Sequence, residues 1–465
     1  MLTRSISSHR APLRYVGSLT ALIVLAACGG GASTDAGLSV DAALDASEGT
    51  PPRVTILTSF DGASGPGYKD HPDLGGAVGP NHVVDFVGSA FIVRDKHTGA
   101  VLLEMTQDAF WQAAGVTTAT LNDPRIVFDP LAGRWYAVTA GPYDFLAVST
   151  DDDPTHPFRA VTLSTAVSGD LLARVGFDRN GVYVCSYGGT MDSICFAIPK
   201  ADAAWTGSGG PSLANMTTFA GLAYELVPAI DLDASKPADA PEMVLTRQGA
   251  QNATDLPLTL VLQRITWSGT TASISAPQTI TTPLSYTTPA DVPQPGSGAP
   301  LIKGRENHRF FDVFASGDSL YAAQGTQVGT HVGFNWVQVR ASDGVLLQAS
   351  AVSDGASDFL FPSVACDAAG NLAIAFARVS TTELPSVYVA TRFSTDAPGT
   401  LRAPFLLQPG TAPYACSTNP VGWGTYTSTM RDPSDPMVLW TFQQYGGSAV
   451  ACEWSTRWVA FSMGP

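Results

Sequence analysis

Along most of this chain, short runs rich in Val, Tyr, Phe, Trp and Thr alternate with clusters of Gly, Pro and Asp. That punctuation is the pattern of many short antiparallel strands. One stretch breaks it, "LLEMTQDAFWQAAG" from Leu102, where a short helix is expected. The fold class read from the pattern is all-β.

Within the pattern one joint recurs: a turn, often opened by Asp, followed by an apolar run. It is seen as "VGPNHVVDFV" near Gly79, "FDPLAGRWYAV" at Asp129, "FDRNGVYVCS" at Asp178 and "DLDASKPADAPEMVLTR" at Asp231. It returns as "FDVFASGDSLYAA" at Asp312, "CDAAGNLAIAF" at Asp367 and "RDPSDPMVLWTF" at Asp432. Asp and Gly are turn formers, so these motifs read as joints between strands rather than as chemistry.

Between joints there is room for a further pair of strands, as in "DFLAVSTDDDP" and "NWVQVRASDGVLLQ". Units of roughly 50 to 80 residues exceed the common propeller repeats, with the excess placed in loops. Radial repetition of four-stranded sheets leaves only short edges. The expectation is a seven-bladed β-propeller over residues 53–465. "RVTILTSF" from Arg53 lacks a partner of its own and is expected to close the last blade beside "RWVAFSM". The Pro- and Thr-rich stretch at 270–300 is read as a long loop between the fourth and fifth units. Two β-sandwiches linked there are the alternative.

Composition adds a compartment. The first residues are basic (Arg4, Arg10, Arg14), then apolar to Ala27, too short for a mature membrane span. They end in "LAAC", which resembles the lipobox of bacterial lipoproteins. The resemblance implies a signal peptide over 1–27, lipid on Cys28 and, with Gly29 next, an outer-membrane lipoprotein facing the periplasm or the cell surface. An ordinary secretory signal is the alternative. Residues 28–52 are small and acidic without an aromatic, the composition of a flexible tether. Net charge is -15, and no basic face suggests a nucleic-acid partner.

The cysteines suit an oxidising compartment. Cys185 and Cys195 flank a hairpin turn and are expected to be bridged; Cys416 and Cys452 flank the last repeat and form a second pair. Cys366 is left as a buried thiol.

"WGTYTSTMRDPSDPMVLWTFQQYGGSAVACEWSTRWVAF", "DPRIVFDPLAGRWYAV" and "FPSVACDAAGNLAIAF" resemble blades of secreted bacterial propellers with sialidase-like, BNR-type repeats. The resemblance implies the fold over most of residues 75–465. The Asp-box of true sialidases, Ser-x-Asp-x-Gly-x-x-Trp, is absent.

Candidate chemistry is sparse. There is no Gly-x-Ser-x-Gly elbow, His-Glu-x-x-His pair or phosphate loop. Asp151, Asp152 and Asp153 in "STDDDPTH" form an oxygen-rich cluster of the kind Ca²⁺ takes, or else a solvated turn. No cofactor is expected, calcium being the single alternative.

Arg125 stands eight residues before Gly133, Arg174 seven before Gly181 and Arg309 eight before Gly317. Equivalent places on three inner strands would gather them at one channel mouth, where guanidinium forks match an acidic ligand. The alternative is that they pair with acids such as Asp123, Asp170 and Asp312. A hydrolase would also need an acid and a nucleophile. Tyr426, Glu306, Glu225 and Asp73 are the candidates, and spacing alone pairs none of them. The reading favoured is a non-catalytic binder of an extracellular glycan or protein. A sialidase-like glycoside hydrolase or a polysaccharide lyase on an acidic sugar is the alternative.

Overall fold

A computed structural model describes residues 51–66, 71–117, 121–141, 143–163, 172–187, 192–205, 209–249, 252–305 and 307–464. Cys28, Asp170, Glu306, the leader and nearly all of the tether lie outside them.

The chain is all-β, as the alternation predicts. Antiparallel groups follow one another at residues 75–106, 122–162, 174–222, 227–286, 313–352, 358–408 and 428–463. Each begins with a short first strand: Gly75–Val78, Asn122–Asp129, Arg174–Phe177, Val227–Asp231, Val313–Ser316, Asp358–Cys366 or Ser428–Arg431. Each first strand lies against the next, and Ser428–Arg431 lies against Gly75–Val78. Three of them are hydrogen-bonded in parallel, aligning Phe177, Ile230 and Phe314.

The N-terminal strand Val54–Pro66 pairs antiparallel with Glu453–Met463, from Val54 opposite Met463 to Pro66 opposite Glu453. The last group therefore takes its fourth strand from the other end of the chain. Apolar residues fill the space between neighbouring groups, as where the rings of Phe334 and Phe376 meet at 5.2 Å.

The recurrent Asp acts as the spacing suggests. Oδ1 of Asp178 accepts the amides of Asn180 and Gly181 at 2.8 Å, and Oδ1 of Asp367 accepts those of Ala369 and Asn371 at 2.9 Å. Asp129, Asp231 and Asp432 do the same for the amides two residues on. The second carboxylate oxygen then reaches elsewhere. Asp432 receives Trp440 Nε1 at 2.8 Å, while its Oδ1 also receives Lys96 Nζ at 2.7 Å, tying the last group to the first.

Asp312 breaks the series. It precedes Val313–Ser316, and the turn after that strand is made at Gly317 (φ +57°). Two further expectations change. Leu102–Thr106 belongs to a strand paired with Ala90–Asp95, so the helix is only Gln107–Ala114, opened by Thr106 Oγ1 accepting the Ala109 amide at 3.1 Å. Within 270–300, Thr271–Ile274 and Gln278–Tyr286 are strands laid against Leu256–Ser268, because their alternating positions bury one face. They belong to the sheet that continues into residues 313–352, which leaves no linker for two sandwiches.

Both expected disulfides are present. Cys185 and Cys195 sit opposite each other on adjacent strands, and Cys416 joins Cys452. Cys366 is a buried free thiol.

Candidate functional site

The three first strands hydrogen-bonded in parallel run the same way, and their residues can be placed by level. Counting back from the aligned Phe177, Ile230 and Phe314 puts Arg174, Val227 and Phe311 at one level. Arg125 has the same offset from its joint Asp129 as Arg174 has from Asp178, so these two are equivalent. Arg309 is not: it lies two residues earlier, at the level of Glu225 in the preceding group. The Gly spacing that suggested equivalence failed because the fifth group's turn is built without the Asp.

That outer level is conformationally special. Asp73, Asp123, Glu225 and Phe361 occupy it with φ of +50°, +51°, +59° and +52°. Non-glycine residues rarely adopt this left-handed backbone, and it is costly without a supporting structure. Bulges between Asn122 and Arg125 and between Leu360 and Ser363 mark the same level. Sequence reasoning missed these four; their only signal is a position six residues before the joints at 79, 129, 231 and 367.

The arginines are gathered but unequally satisfied. Arg125 crosses between groups: Nη2 donates to Asp312 and, at 3.0 Å, to the Phe311 carbonyl, while the guanidinium stacks 4.7 Å from the Tyr426 ring centre. Gly75 makes room, since a Cβ there would meet the Pro124 carbonyl at 2.6 Å. Arg309 Nε donates to Glu225, and its guanidinium faces the Tyr187 ring at 5.9 Å.

Arg174 differs. It is 3% exposed, and among the described residues none of its three guanidinium nitrogens has a hydrogen-bond partner. Burial lowers its pKa, with the Glu225 carboxylate acting in the opposite sense. The Phe311 ring lies 5.9 Å away.

The other candidates fall as follows. Burial acts against the Glu225 carboxylate, but the Arg309 and Arg174 cations prevail and hold its pKa below the usual value. Tyr426 is buried and donates to the Pro124 carbonyl at 3.1 Å; burial pushes the phenol well above its normal range. Asp73 is buried beside His71 Nε2 at 3.0 Å. Asp151 accepts the Asp153 amide and faces His156, and Asp153 accepts from Thr155, so both serve the turn that holds them. Among the described residues, no group of three or more His, Cys, Asp or Glu is placed to hold a metal ion.

The structure adds His308, Arg247, Tyr187 and Tyr224, none of which the spacing singled out. Arg247 Nε donates to the His308 carbonyl at 3.0 Å and its guanidinium covers the Tyr286 ring at 4.2 Å. Tyr187 and Tyr224 meet edge to face at 4.7 Å.

His308 is held neutral. Burial first, and then Arg309, lower its pKa to about 4. A native pKa depressed below the unfolded value of about 6.5 contributes stability above pH 6.5 that is lost as pH falls toward 4. The loss amounts to up to about 3 kcal/mol by linkage. Urea unfolding at pH 7 and pH 4.5 should show this drop, and His308→Phe should flatten it; an equal slope in both proteins would disprove the assignment.

Between the first strands the passage is narrow, a cavity of about 50 Å³ walled by Val78, Ile126, Phe128, Ile230, Phe314 and Met430. Arg125 and Asp312 also line it, as does Arg431. Such a volume admits no saccharide, so a ligand would meet the arginines from outside.

No protein-family model matches the chain, and no curated protein is significantly similar. Solved structures with related form include the WD40 domain of SCAP from fission yeast, at 8% identity over 83% of this chain and 82% of that one, TM-score 0.34. A Dyadobacter fermentans protein of unknown function is 9% identical over 89% and 100% of the two chains, TM-score 0.38. An ulvan polysaccharide lyase bound to -[GlcA(1-4)Rha3S]- is 10% identical over 72% and 77%, TM-score 0.38. At identities this low they bear on neither ligand nor reaction.

Proposed function

We propose that the chain is a seven-bladed β-propeller, closed by its N-terminal strand, which binds an acidic extracellular saccharide through Arg174 without turning it over. The return of Ser428–Arg431 to Gly75–Val78 and the pairing of Val54–Pro66 with Glu453–Met463 support the closed ring. Arg125 and Arg309 are tied to Asp312 and Glu225, as suits parts of the frame.

The observation that carries the binding reading is the guanidinium of Arg174, buried without a hydrogen-bond partner among the described residues. The Glu225 and Asp312 carboxylates act on it only through space, and a buried charge without hydrogen bonds keeps a desolvation penalty of several kcal/mol. A carboxylate or sulfate from a ligand supplies those bonds through a bidentate fork. An array of neutral, carboxylated and sulfated glycans, probed with the purified mature chain, tests this. Binding confined to the acidic glycans is expected, and binding to neutral glycans alone, or to none, would refute it.

A second reading, a lyase acting on an acidic sugar, draws on His308, whose low pKa leaves a neutral imidazole near the arginines. Formation of an unsaturated product from a bound glycan would establish it in place of simple binding. In both readings the protein needs no cofactor and no nucleic acid.

We also propose that lipid on Cys28 anchors the protein to the outer membrane, with residues 28–52 as its tether; the resemblance of "LAAC" to a lipobox supports this. Cys28→Ala should release it into the soluble fraction, because lipid supplies the anchor. Continued firm membrane association on fractionation would refute the anchoring.

A further inference from the structure

Outward from the mouth the polar surface continues. His308, next to Arg309, accepts at its carbonyl from Arg247, which lies over Tyr286; after Tyr286 and Ser285 comes a groove of about 570 Å³ between the fourth and fifth groups. That size falls within the roughly 300 to 1,000 Å³ of ordinary small-ligand sites.

Its polar wall includes Asp255, Thr282, Ser285, Thr326, Gln327 and Asn335. No described lining residue is a Lys, Arg or His, so the groove does not select an anion. The wall is pre-formed: the Thr287 amide donates to Thr326 Oγ1 and the Gln327 amide to the Thr287 carbonyl, both at 3.0 Å.

Asn335 is the telling residue. It is 0% exposed, and its Nδ2 donates to the Ser285 carbonyl at 2.9 Å. Because a carbonyl only accepts, this bond fixes the amide's orientation. Oδ1 is left buried with no hydrogen-bond partner among the described residues, a cost a ligand donor would remove. With the Asp255 carboxylate and the wall hydroxyls, the groove offers acceptors to hydroxyl groups.

We propose that this groove is a second saccharide subsite, taking an uncharged, hydroxyl-rich unit of the same glycan whose acid group is held by Arg174. The pairing of the two subsites rests on the reading of Arg174 above; the groove's own chemistry does not.

Methyl glucopyranoside as neutral probe and glucuronate as acidic probe, titrated into the mature chain, separate the two. Ser285→Trp fills the groove and should abolish binding of the neutral probe. The milder Ser285→Ala/Asp255→Asn pair, at exposed positions, should weaken it at least fivefold with an unchanged melt. Neither should alter glucuronate binding, and Arg174→Met should show the reverse pattern. If the neutral probe does not bind, or binds the parent and the milder variant equally, the groove proposal is overturned. If the neutral probe behaves as expected while glucuronate does not bind, the Arg174 reading fails instead.

Discussion

Arg174→Met is expected to abolish recognition of acidic glycans while leaving the fold as stable as the parent or more so. The two effects share one cause. Among the described residues the buried guanidinium has no hydrogen-bond partner, so its desolvation offsets the attraction of the Glu225 and Asp312 carboxylates and it adds little to stability. Replacing buried charge with an apolar side chain of similar length is commonly neutral, or stabilising by about 1 to 4 kcal/mol. With an acidic ligand the same group would form a charge-assisted fork, whose loss costs about 3 kcal/mol, roughly a hundredfold in affinity. Thermal melts and glycan titrations on one preparation check both. A variant that melts several degrees lower, or binds as the parent does, would show that Arg174 is a structural residue with another partner.

Trp440→Ala should have the opposite signature, a large loss of stability. Trp440 is 2% exposed, packs 6.1 Å from Trp458 and 6.0 Å from Phe60, and donates to Asp432. Truncating such a residue typically costs about 3 to 5 kcal/mol. It lies where the last group meets the first and where the N-terminal strand is attached, so the loss falls on the joining of the chain ends. Equilibrium urea unfolding measures it. A Trp440 variant that unfolds like the parent but loses ligand would make the "RDPSDPMVLWTF" segment a site instead of a joint.

Arg125→Ala is the instructive companion. Its place at the mouth suggests a ligand contact whose removal spares the fold. The structure instead spends it on Asp312, a carboxylate whose pKa burial raises, so removing Arg125 alone strands an acid in the interior. The expected cost is about 3 to 5 kcal/mol. Asp312→Ala added to it should recover part of that loss, as interacting partners do in a double-mutant cycle.

What the sequence by itself determined is local and periodic. Alternation of apolar and turn residues specified strands, because side chains in a strand take opposite faces at period two. The Asp at positions 129, 178, 231, 367 and 432 specified tight turns, because a carboxylate can cap amides two residues on. Cys185 and Cys195 were legible as a pair for the same reason, being set symmetrically about a hairpin. Where the local rule is absent, analogy misleads: Asp312 precedes its strand instead of opening a turn, and Arg309 lies two residues away from the level of Arg174. The strands at 271–286 were hidden by Pro and Thr, whose pairing with Leu256–Ser268 makes them a sheet.

Only the tertiary structure decided which charges meet. Arg125 and Asp312 are 187 residues apart, and Arg309 and Glu225 are 84 apart; no spacing rule links them. Ionic partners are chosen by proximity after folding, in an interior where an unpaired charge is costly, so a residue's role depends on what the ring brings opposite it. Arg125, Arg174 and Arg309 are the same residue type in similar local sequence. Two are held by carboxylates from other groups, and the guanidinium of the third has no hydrogen-bond partner among the described residues.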